Sequence, residues 1–218
     1  MKHTPNFWAN PTTFLATQNP DKPVVFFSPD LLAQTAQAFL SGFDGLVTYA
    51  VKANPDPQVI SNLHLAGVCA FDVASPVEID LVRDHAPGAD MHYNNPVRSV
   101  AEIKHAVARN VGSYSIDRPS ELQKLAHLLP ARTAEVSVRL KLPVAGAAYD
   151  FGEKFGATPE QAKILLAQVK HLGFTPSMTF HPGTQCNDAD AWRSYITVCA
   201  EIAKSADVQL HRLNVGGG

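Results

Sequence analysis

Apolar residues along this chain fall into two alternating patterns from residues 22–23 onward. Short β-branched runs predict strands, and the longer stretches between them, with apolar positions three or four residues apart, predict helices. The predicted strands cover 45–52, 68–73, 90–94, 112–116, 134–142, 174–180 and 208–215. The predicted helices cover 30–41, 57–66, 97–109, 118–128, 158–170 and 188–204, and one more opens at Pro76. A further apolar run, 24–27, precedes the first helix and is not counted among the seven strands.

Strands that alternate with helices predict a parallel sheet, because each helix carries the chain back to where the next strand begins. Spacing leaves two arrangements open, a doubly wound sheet and a β/α barrel. Seven strands and a glycine run directly after the last favour the barrel, which binds phosphate at the loops after strands 7 and 8. We therefore predict an α/β fold: an incomplete β/α (TIM-like) barrel of about seven units over 24–218, after an N-terminal extension over 1–23.

Composition narrows the possible functions. The 218 residues are 45% hydrophobic and 17% charged, with a formal net charge of −2, so neither nucleic acid nor an anionic membrane is an expected partner. No apolar run is long enough to span a bilayer, and the N-terminus has no segment of signal-peptide type. Three cysteines without a pairing pattern indicate a reducing cytoplasm, and nine scattered histidines predict no metal site.

The hexapeptide Tyr49-Ala50-Val51-Lys52-Ala53-Asn54 ends an apolar predicted strand with one lysine. Desolvation by such a strand would lower the lysine pKa and free a neutral amine to form a Schiff base with an aldehyde. From the hexapeptide alone, a lysine whose stem lies along the strand while its ammonium reaches water is slightly favoured. The other polar residues at strand ends reverse that preference.

Two features after the last two predicted strands could bind a phosphorylated ring. His181 follows the sixth strand, where an imidazole can stack on a flat heteroaromatic ring, and Thr184 can donate to a phosphate oxygen. The run Gly216-Gly217-Gly218 follows the seventh strand, and glycines let backbone N–H groups converge on an anion. The ordinary alternatives are a rim histidine bonded to backbone and a flexible glycine tail.

Asp72, near the end of the second strand, and Arg139, on the fifth, carry opposite charges and are candidates for an ion pair. The alternative is that Asp72 caps the helix opening at Pro76 and Arg139 points into solvent. In a barrel, however, these two residues, Lys52, His181 and the glycines all lie at or near C-terminal strand ends and meet at one mouth.

Five segments form an ordered set along the chain. They are the Lys52 hexapeptide, Phe71-Asp72-Val73-Ala74-Ser75 with Glu78, Lys154-Phe155-Gly156, Phe180-His181-Pro182-Gly183-Thr184-Gln185-Cys186, and Val215-Gly216-Gly217-Gly218. Together they resemble the ornithine/diaminopimelate/arginine decarboxylases, pyridoxal-phosphate enzymes of the alanine-racemase-like barrel fold. The Phe-Asp-Val-Ala-Ser segment with Glu78 resembles the ornithine type more than the diaminopimelate type.

The resemblance implies a site for pyridoxal 5'-phosphate (PLP). Lys52 matches the lysine that holds the cofactor covalently, and His181 matches the histidine stacked on its ring, so these two are the expected catalytic residues. The implied cofactor contacts are Lys52, Asp72, Arg139, His181, Thr184, Gly216, Gly217 and Gly218.

The chain also departs from the family. Asn214 stands where aspartate is usual, and Pro182-Gly183-Thr184-Gln185 stands where a Val-Gly-Ser-Gly type is more common. Family members continue with an eighth strand, which supplies the acid for the pyridine nitrogen, and with a C-terminal β-domain. The chain resembles the first seven-eighths of the barrel without that β-domain, so the resemblance implies weak or no activity for the 218 residues by themselves.

The implied function is cytoplasmic decarboxylation of a basic amino acid, of ornithine or lysine type, to a polyamine precursor. The expected partners are the amino-acid substrate and a second copy in a dimer, since two unpaired sheet edges invite association. Two alternatives remain open. One is an amino-acid racemase of the same fold, although residues 54–57 lack the Ala-Tyr-Gly-His-Gly continuation of alanine racemases. The other is a non-catalytic homologue that binds a partner protein.

Overall fold

The computed structural model describes residues 7–130, 134–142, 155–183 and 186–216. Its strands are β1 (Tyr49–Ala50), β2 (Ala70–Val73), β3 (Asp90–Tyr93), β4 (Ser113–Ile116), β5 (Glu135–Arg139), β6 (Thr175–Thr179) and β7 (Leu213–Asn214). Its helices are α1 (Pro11–Gln18), α2 (Pro29–Gly42), α3 (Pro57–Leu65), α4 (Pro76–His85), α5 (Val100–Ala108), α6 (Pro119–Leu128), α7 (Pro159–His171) and α8 (Ala189–Ser205). A single 3-10 turn, Val51–Ala53, follows β1. Within these ranges no helix is both long and apolar enough to cross a membrane.

The seven strands form one sheet in the order in which they follow along the chain. All six neighbouring pairs run parallel. A doubly wound sheet would reverse its strand order at a switch point, whereas a barrel keeps sequential order. Within the described residues β1 and β7 have no strand between them, so the predicted incomplete β/α barrel is confirmed.

The two terminal strands are shorter than the apolar pattern predicts. Strands were expected over 45–52 and 208–215, but β1 and β7 have two residues each. Each of them has a neighbouring strand on one side only, so the hydrogen-bonded ladder extends over fewer residues. As a consequence, Lys52 lies in the 3-10 turn rather than in a strand.

The N-terminal region also differs from the pattern. The apolar run 24–27 forms no strand, and Val25 is 95% exposed. The helix α1 was not predicted; Asn10 caps it by accepting a hydrogen bond from the Thr13 N–H. None of its residues is buried, so it has no apolar stripe for periodicity to detect. The boundary at residue 24 between the extension and the barrel domain stays a prediction.

Helix starts follow capping signals. Ser28 and Ser75 each accept a hydrogen bond from the backbone N–H three residues on, and proline occupies the first turn in both helices. The Glu78 carboxylate accepts from the Ala74 N–H at 2.7 Å, rather than from the N–H of Ser75 as in a complete capping box. This contact ties the start of α4 to the end of β2, the strand that carries Asp72.

The sheet has an apolar outer face and a polar inner face. Val136 and Val138 of β5 are fully buried in the hydrophobic core between sheet and helices. Ser137, between them, is 4% exposed and faces the barrel interior together with Arg139. Barrel interiors are usually filled by Val, Ile and Leu. The polar interior therefore identifies the inside of this sheet as the place for a polar ligand.

Candidate active site

A cavity of about 590 Å³ opens at the C-terminal ends of the strands. Its lining includes five residues that the sequence predicts for one site: Lys52, Asp72, Arg139, His181 and Gly216. The structure thus brings these five together. The remaining predicted contacts, Thr184, Gly217 and Gly218, lie outside the described residues, as does Lys154.

Lys52 occupies an exposed position at this cavity. The apolar pattern predicted that a strand would partly desolvate Lys52. This prediction is wrong, because β1 ends at Ala50 and residue 52 is exposed. The turn that carries it is closed by the Tyr49 hydroxyl, which donates to the Asn54 carbonyl at 3.3 Å. Any activation of the amine must therefore come from charged neighbours in the cavity rather than from an apolar wall.

Asp72 is the acidic residue of the cavity whose pKa is affected by the charge of Lys52. Burial raises its pKa to about 6, although the side chains of Asn94 and Thr48 and then the charges of Lys52 and Arg212 lower it. Its Oδ1 is buried and makes no hydrogen bond of ordinary length within the described residues. Buried carboxylate oxygens are normally paired, so this atom is a candidate contact for a ligand group.

The predicted ion pair between Asp72 and Arg139 does not form among the described residues. Burial lowers the pKa of Arg139, while the nearby charge of Asp117 raises it. The guanidinium lies 5.6 Å from the centroid of the Phe155 ring, a cation–π arrangement. Because Arg139 lines the cavity without a carboxylate at ion-pair distance in the described part of the chain, it can meet an anionic ligand.

His181 is held as a neutral imidazole. Its Nδ1 accepts a hydrogen bond from the Gly183 N–H at 3.1 Å, which assigns the ring proton to Nε2. Burial, followed by the charges of Arg139 and Lys52, lowers its pKa to about 4. Gly183 has a φ of 121°, a conformation that favours glycine and lets its N–H turn back to the ring. The cavity wall therefore presents an uncharged flat ring at neutral pH.

Gly216 approaches β6 more closely than a side chain would allow. Its φ is 65°, and a Cβ built on it would lie 2.4 Å from the Phe180 carbonyl oxygen. Its N–H donates to Oδ1 of Asn214 at 2.9 Å. Asn214, the departure from the family's usual aspartate, thus still supplies a side-chain acceptor. Because its own N–H is bonded to Asn214, Gly216 contributes a close approach of the backbone to β6 at the cavity rather than a free N–H donor.

Sequence reasoning missed Thr48 and Asn94, which lie beside Asp72 in the cavity lining. Asn94 directly follows β3, so the rule that selects polar residues at strand ends could have found it. Thr48 lies inside an apolar run just before β1, and no signal in the sequence separates it from its neighbours.

Replacing Arg139 by methionine is expected to raise the pKa of His181 above about 4, because one of the two positive charges that lower it is removed. The shift should be read from the imidazole signals in a pH titration by nuclear magnetic resonance. Arg139→Lys, which keeps the charge, is the matched control and should titrate closer to the wild type. An unchanged His181 titration in Arg139→Met would show that the two groups do not share a cavity in solution.

Residues 30–218 match the family profile described as pyridoxal-dependent decarboxylase, pyridoxal binding domain. The lysine/ornithine decarboxylase of Selenomonas ruminantium is 35% identical over 178 residues, covering 79% of this chain and 44% of that protein. The ornithine decarboxylase of Caenorhabditis elegans is 36% identical over 177 residues, covering 78% of this chain and 41% of that protein. The chain therefore spans less than half the length of these curated relatives.

Solved structures give the same picture. Lysine decarboxylase from Selenomonas ruminantium is similar with a TM-score of 0.83 at 29% identity, covering 98% of this chain and 57% of that one. A second solved structure, that of a mutant protein designated SrLDC in complex with PLP, is similar with a TM-score of 0.84 at 30% identity. The match covers 99% of this chain and 57% of that one. These likenesses agree with the sequential strand order and identify the barrel as one of the alanine-racemase type.

Proposed function

We propose, on the premise that this chain belongs to the family of pyridoxal-dependent decarboxylases and contains its pyridoxal-binding domain, that the protein decarboxylates a basic amino acid. Its cofactor is PLP. The observation that carries the proposal is that an amine, a half-buried carboxylate and a closely approaching glycine line one cavity: Lys52, Asp72 and Gly216. The substrate and the activity of the whole protein are proposed, because the chain spans less than half of its curated relatives.

The residues of the cavity fit the cofactor by their chemistry. Gly216 packs so closely against the backbone after β6 that a Cβ would clash with the Phe180 oxygen at 2.4 Å, and Arg139 offers a cation to an anion. The buried Oδ1 of Asp72 makes no hydrogen bond of ordinary length within the described residues, although the side chains of Asn94 and Thr48 lie near the carboxylate. The glycine suits a phosphate, and the arginine suits the negative charge of that phosphate. The aspartate oxygen suits a ligand group that carries a proton.

Each residue would hold a different part of PLP. The amine of Lys52 would bind the aldehyde carbon covalently, and the imidazole of His181 would stack on the ring. The phosphate would meet Gly216, and we propose that Gly217, Gly218 and Thr184 complete its binding loop, as the family resemblance implies.

PLP, when bound, supplies an electron sink for the bond that breaks. The residues of this chain would hold the cofactor and the substrate in place and would supply or accept protons. Lys52 is exposed, so its amine would be accessible to hold the cofactor and to a substrate that enters the cavity. With a pKa of about 6, Asp72 is mainly a carboxylate at pH 7 and can hold or take up a proton beside Lys52 Nζ. The neutral ring of His181 covers a face of the site without adding charge.

A substrate of the ornithine or lysine type is supported by the names of the relatives, a lysine/ornithine decarboxylase and an ornithine decarboxylase. The product would then be a diamine, a polyamine precursor. The three cysteines are unpaired, which suits a cytoplasmic protein. We also propose a homodimer, because β1 and β7 each have one edge without a partner strand among the described residues, and apolar residues such as Phe39 and Phe43 are exposed.

A second cavity beside the candidate site is expected to slow the turnover of substrate. The gap between β1 and β7, which we call the seam, is lined by residues 43–48 and 212–216 and encloses about 450 Å³. It shares Thr48, Asn214 and Gly216 with the candidate site. Water that enters through the seam would screen the charges of the site. We therefore expect the 218-residue chain to bind PLP but to turn substrate over weakly.

The test is a single-turnover assay with the chain and PLP in excess over a carboxyl-labelled amino acid. We expect labelled carbon dioxide from ornithine or lysine, less from arginine or diaminopimelate, and none with Lys52→Ala. Release from neither ornithine nor lysine, with inversion of an amino acid at its α-carbon, would instead support a racemase. Failure of wild-type chain to bind PLP at all would contradict the proposal and favour the non-catalytic, partner-binding homologue.

A further inference from the structure

Arg212 joins two buried side chains inside the barrel. Its Nη2 donates to Oε2 of Glu135 at 2.6 Å, and its Nη1 donates to Nε2 of His92 at 2.8 Å. Arg212 directly precedes β7, while Glu135 begins β5 and His92 lies in β3. His92 is 6% exposed and Glu135 is 8% exposed. One guanidinium thus connects three strands, and we call Arg212, Glu135 and His92 the Arg212 bridge.

The Arg212 bridge lies next to Asp72. His92 is the register partner of Asp72 in the parallel pair of β2 and β3, so the two side chains lie on the same face of the sheet. Neighbouring strands are about 4.8 Å apart, and Arg212 is hydrogen-bonded to the His92 ring. The guanidinium is therefore about one side chain away from the Asp72 carboxylate, on the polar inner face.

We propose that Arg212 is a positioning residue of the candidate site: the bridge holds its guanidinium beside Asp72, and this charge keeps Asp72 a carboxylate that faces the Lys52 amine. Arg212 lines the seam rather than the candidate site itself, so it acts through Asp72. Its importance for catalysis rests on the proposed function, whereas its effect on Asp72 exists without cofactor.

The pKa of Asp72 is close enough to neutral pH that a nearby charge can change its protonation. Burial has the largest effect and raises its pKa to about 6; Asn94, Thr48, Lys52 and Arg212 oppose it in that order of size. An acid with a pKa of about 6 is about one-tenth protonated at pH 7, and one with a pKa of about 7 is about half protonated. A rise of about one unit in the pKa of Asp72 would therefore increase its protonated fraction at pH 7 about fivefold.

Of the two positive charges that lower the pKa of Asp72, Lys52 and Arg212, only Arg212 stays constant. Lys52 is the reacting amine and changes its charge when it forms or breaks a bond, whereas a guanidinium stays protonated. The other titratable groups near Asp72 and the bridge come from the surrounding elements: Glu78 on α4, Asp90 and His92 on β3, Glu135 and Arg139 on β5, and His181 after β6. Burial, then the charge of Arg212, lowers the pKa of His92 to about 4, so His92 adds no charge at neutral pH.

The experiment is a carbon-13 carboxyl titration of the aspartate-labelled 218-residue chain without cofactor, with Asp72→Asn to assign the signal. In Arg212→Met the pKa of Asp72 should rise by about 1 unit, the low end of the effect of a neighbouring opposite charge. Arg212→Lys keeps the charge and should stay near wild type. Glu135→Gln keeps Arg212 but removes its acid partner, so it should leave the pKa unchanged or lower it.

Arg212→Met leaves the buried Glu135 unpaired, so the double variant Arg212→Met/Glu135→Gln provides the same test without that cost. An Asp72 pKa that is higher in the double variant than in Glu135→Gln, and that returns when lysine replaces Arg212 in the Glu135→Gln chain, would support the proposal. An Asp72 pKa in the double variant equal to that in Glu135→Gln would overturn it, because these two variants differ only in Arg212. Loss of PLP binding by the wild-type chain would contradict the proposed function and leave this titration unaffected.

Discussion

Replacement of Lys52 by alanine is expected to weaken PLP binding by at least about 100-fold, equivalent to about 2.7 kcal/mol, because the covalent bond to the aldehyde is lost. The side chain is exposed and makes no hydrogen bond within the described residues, so stability should change by less than about 0.5 kcal/mol. An absorbance titration with PLP measures the first effect, and thermal unfolding measures the second.

Lys52→Arg is the matched control. It keeps the positive charge beside Asp72 but provides no amine that can bond to the aldehyde, so it should bind PLP nearly as poorly as Lys52→Ala. Wild-type affinity in Lys52→Arg would mean that Lys52 contributes only charge and that the covalent site lies elsewhere.

Replacement of Gly216 by alanine is the second large effect expected. The new methyl group would lie 2.4 Å from the Phe180 oxygen, and the φ of 65° disfavours a side chain. Relief of about 1–3 kcal/mol of strain requires the backbone to move away from β6. The affinity for PLP should fall about 10- to 100-fold, while the affinity for pyridoxal, which lacks the phosphate, should fall much less.

Gly88→Ala separates conformation from close approach. Gly88 also has a positive φ, 83°, but an added Cβ would meet nothing within 4 Å. This variant should lose about 1 kcal/mol of stability and keep its affinity for PLP. If Gly216→Ala bound PLP as tightly as Gly88→Ala, the glycine run would not be the phosphate loop.

Much of the fold can be predicted from the apolar pattern because the central strands, such as β4 and β5, are largely buried and the helices begin at capping signals. The alternation in β5, with Val136 and Val138 against Ser137 and Arg139, even distinguishes the two faces of the sheet. The rule that polar residues at strand ends meet at one rim brings Lys52, Asp72 and His181 together without coordinates.

Other features depend on three-dimensional partners that a pattern does not contain. The extent of β1 depends on having a strand on one side only, which leaves Lys52 exposed in a turn. The partner of Asp72 was predicted to be Arg139 from opposite charge alone. Its cationic neighbours are instead Lys52 and Arg212, because Arg212 precedes an edge strand and reaches across the interior to β3 and β5.

Borohydride reduction of the 218-residue chain saturated with PLP, followed by peptide mapping in a mass spectrometer, tests the shared site most directly. One pyridoxyl group per chain, on the peptide that contains Lys52, is the predicted result. Label spread over several exposed lysines, or a chain that retains no label while folded, would contradict a cofactor site at this cavity.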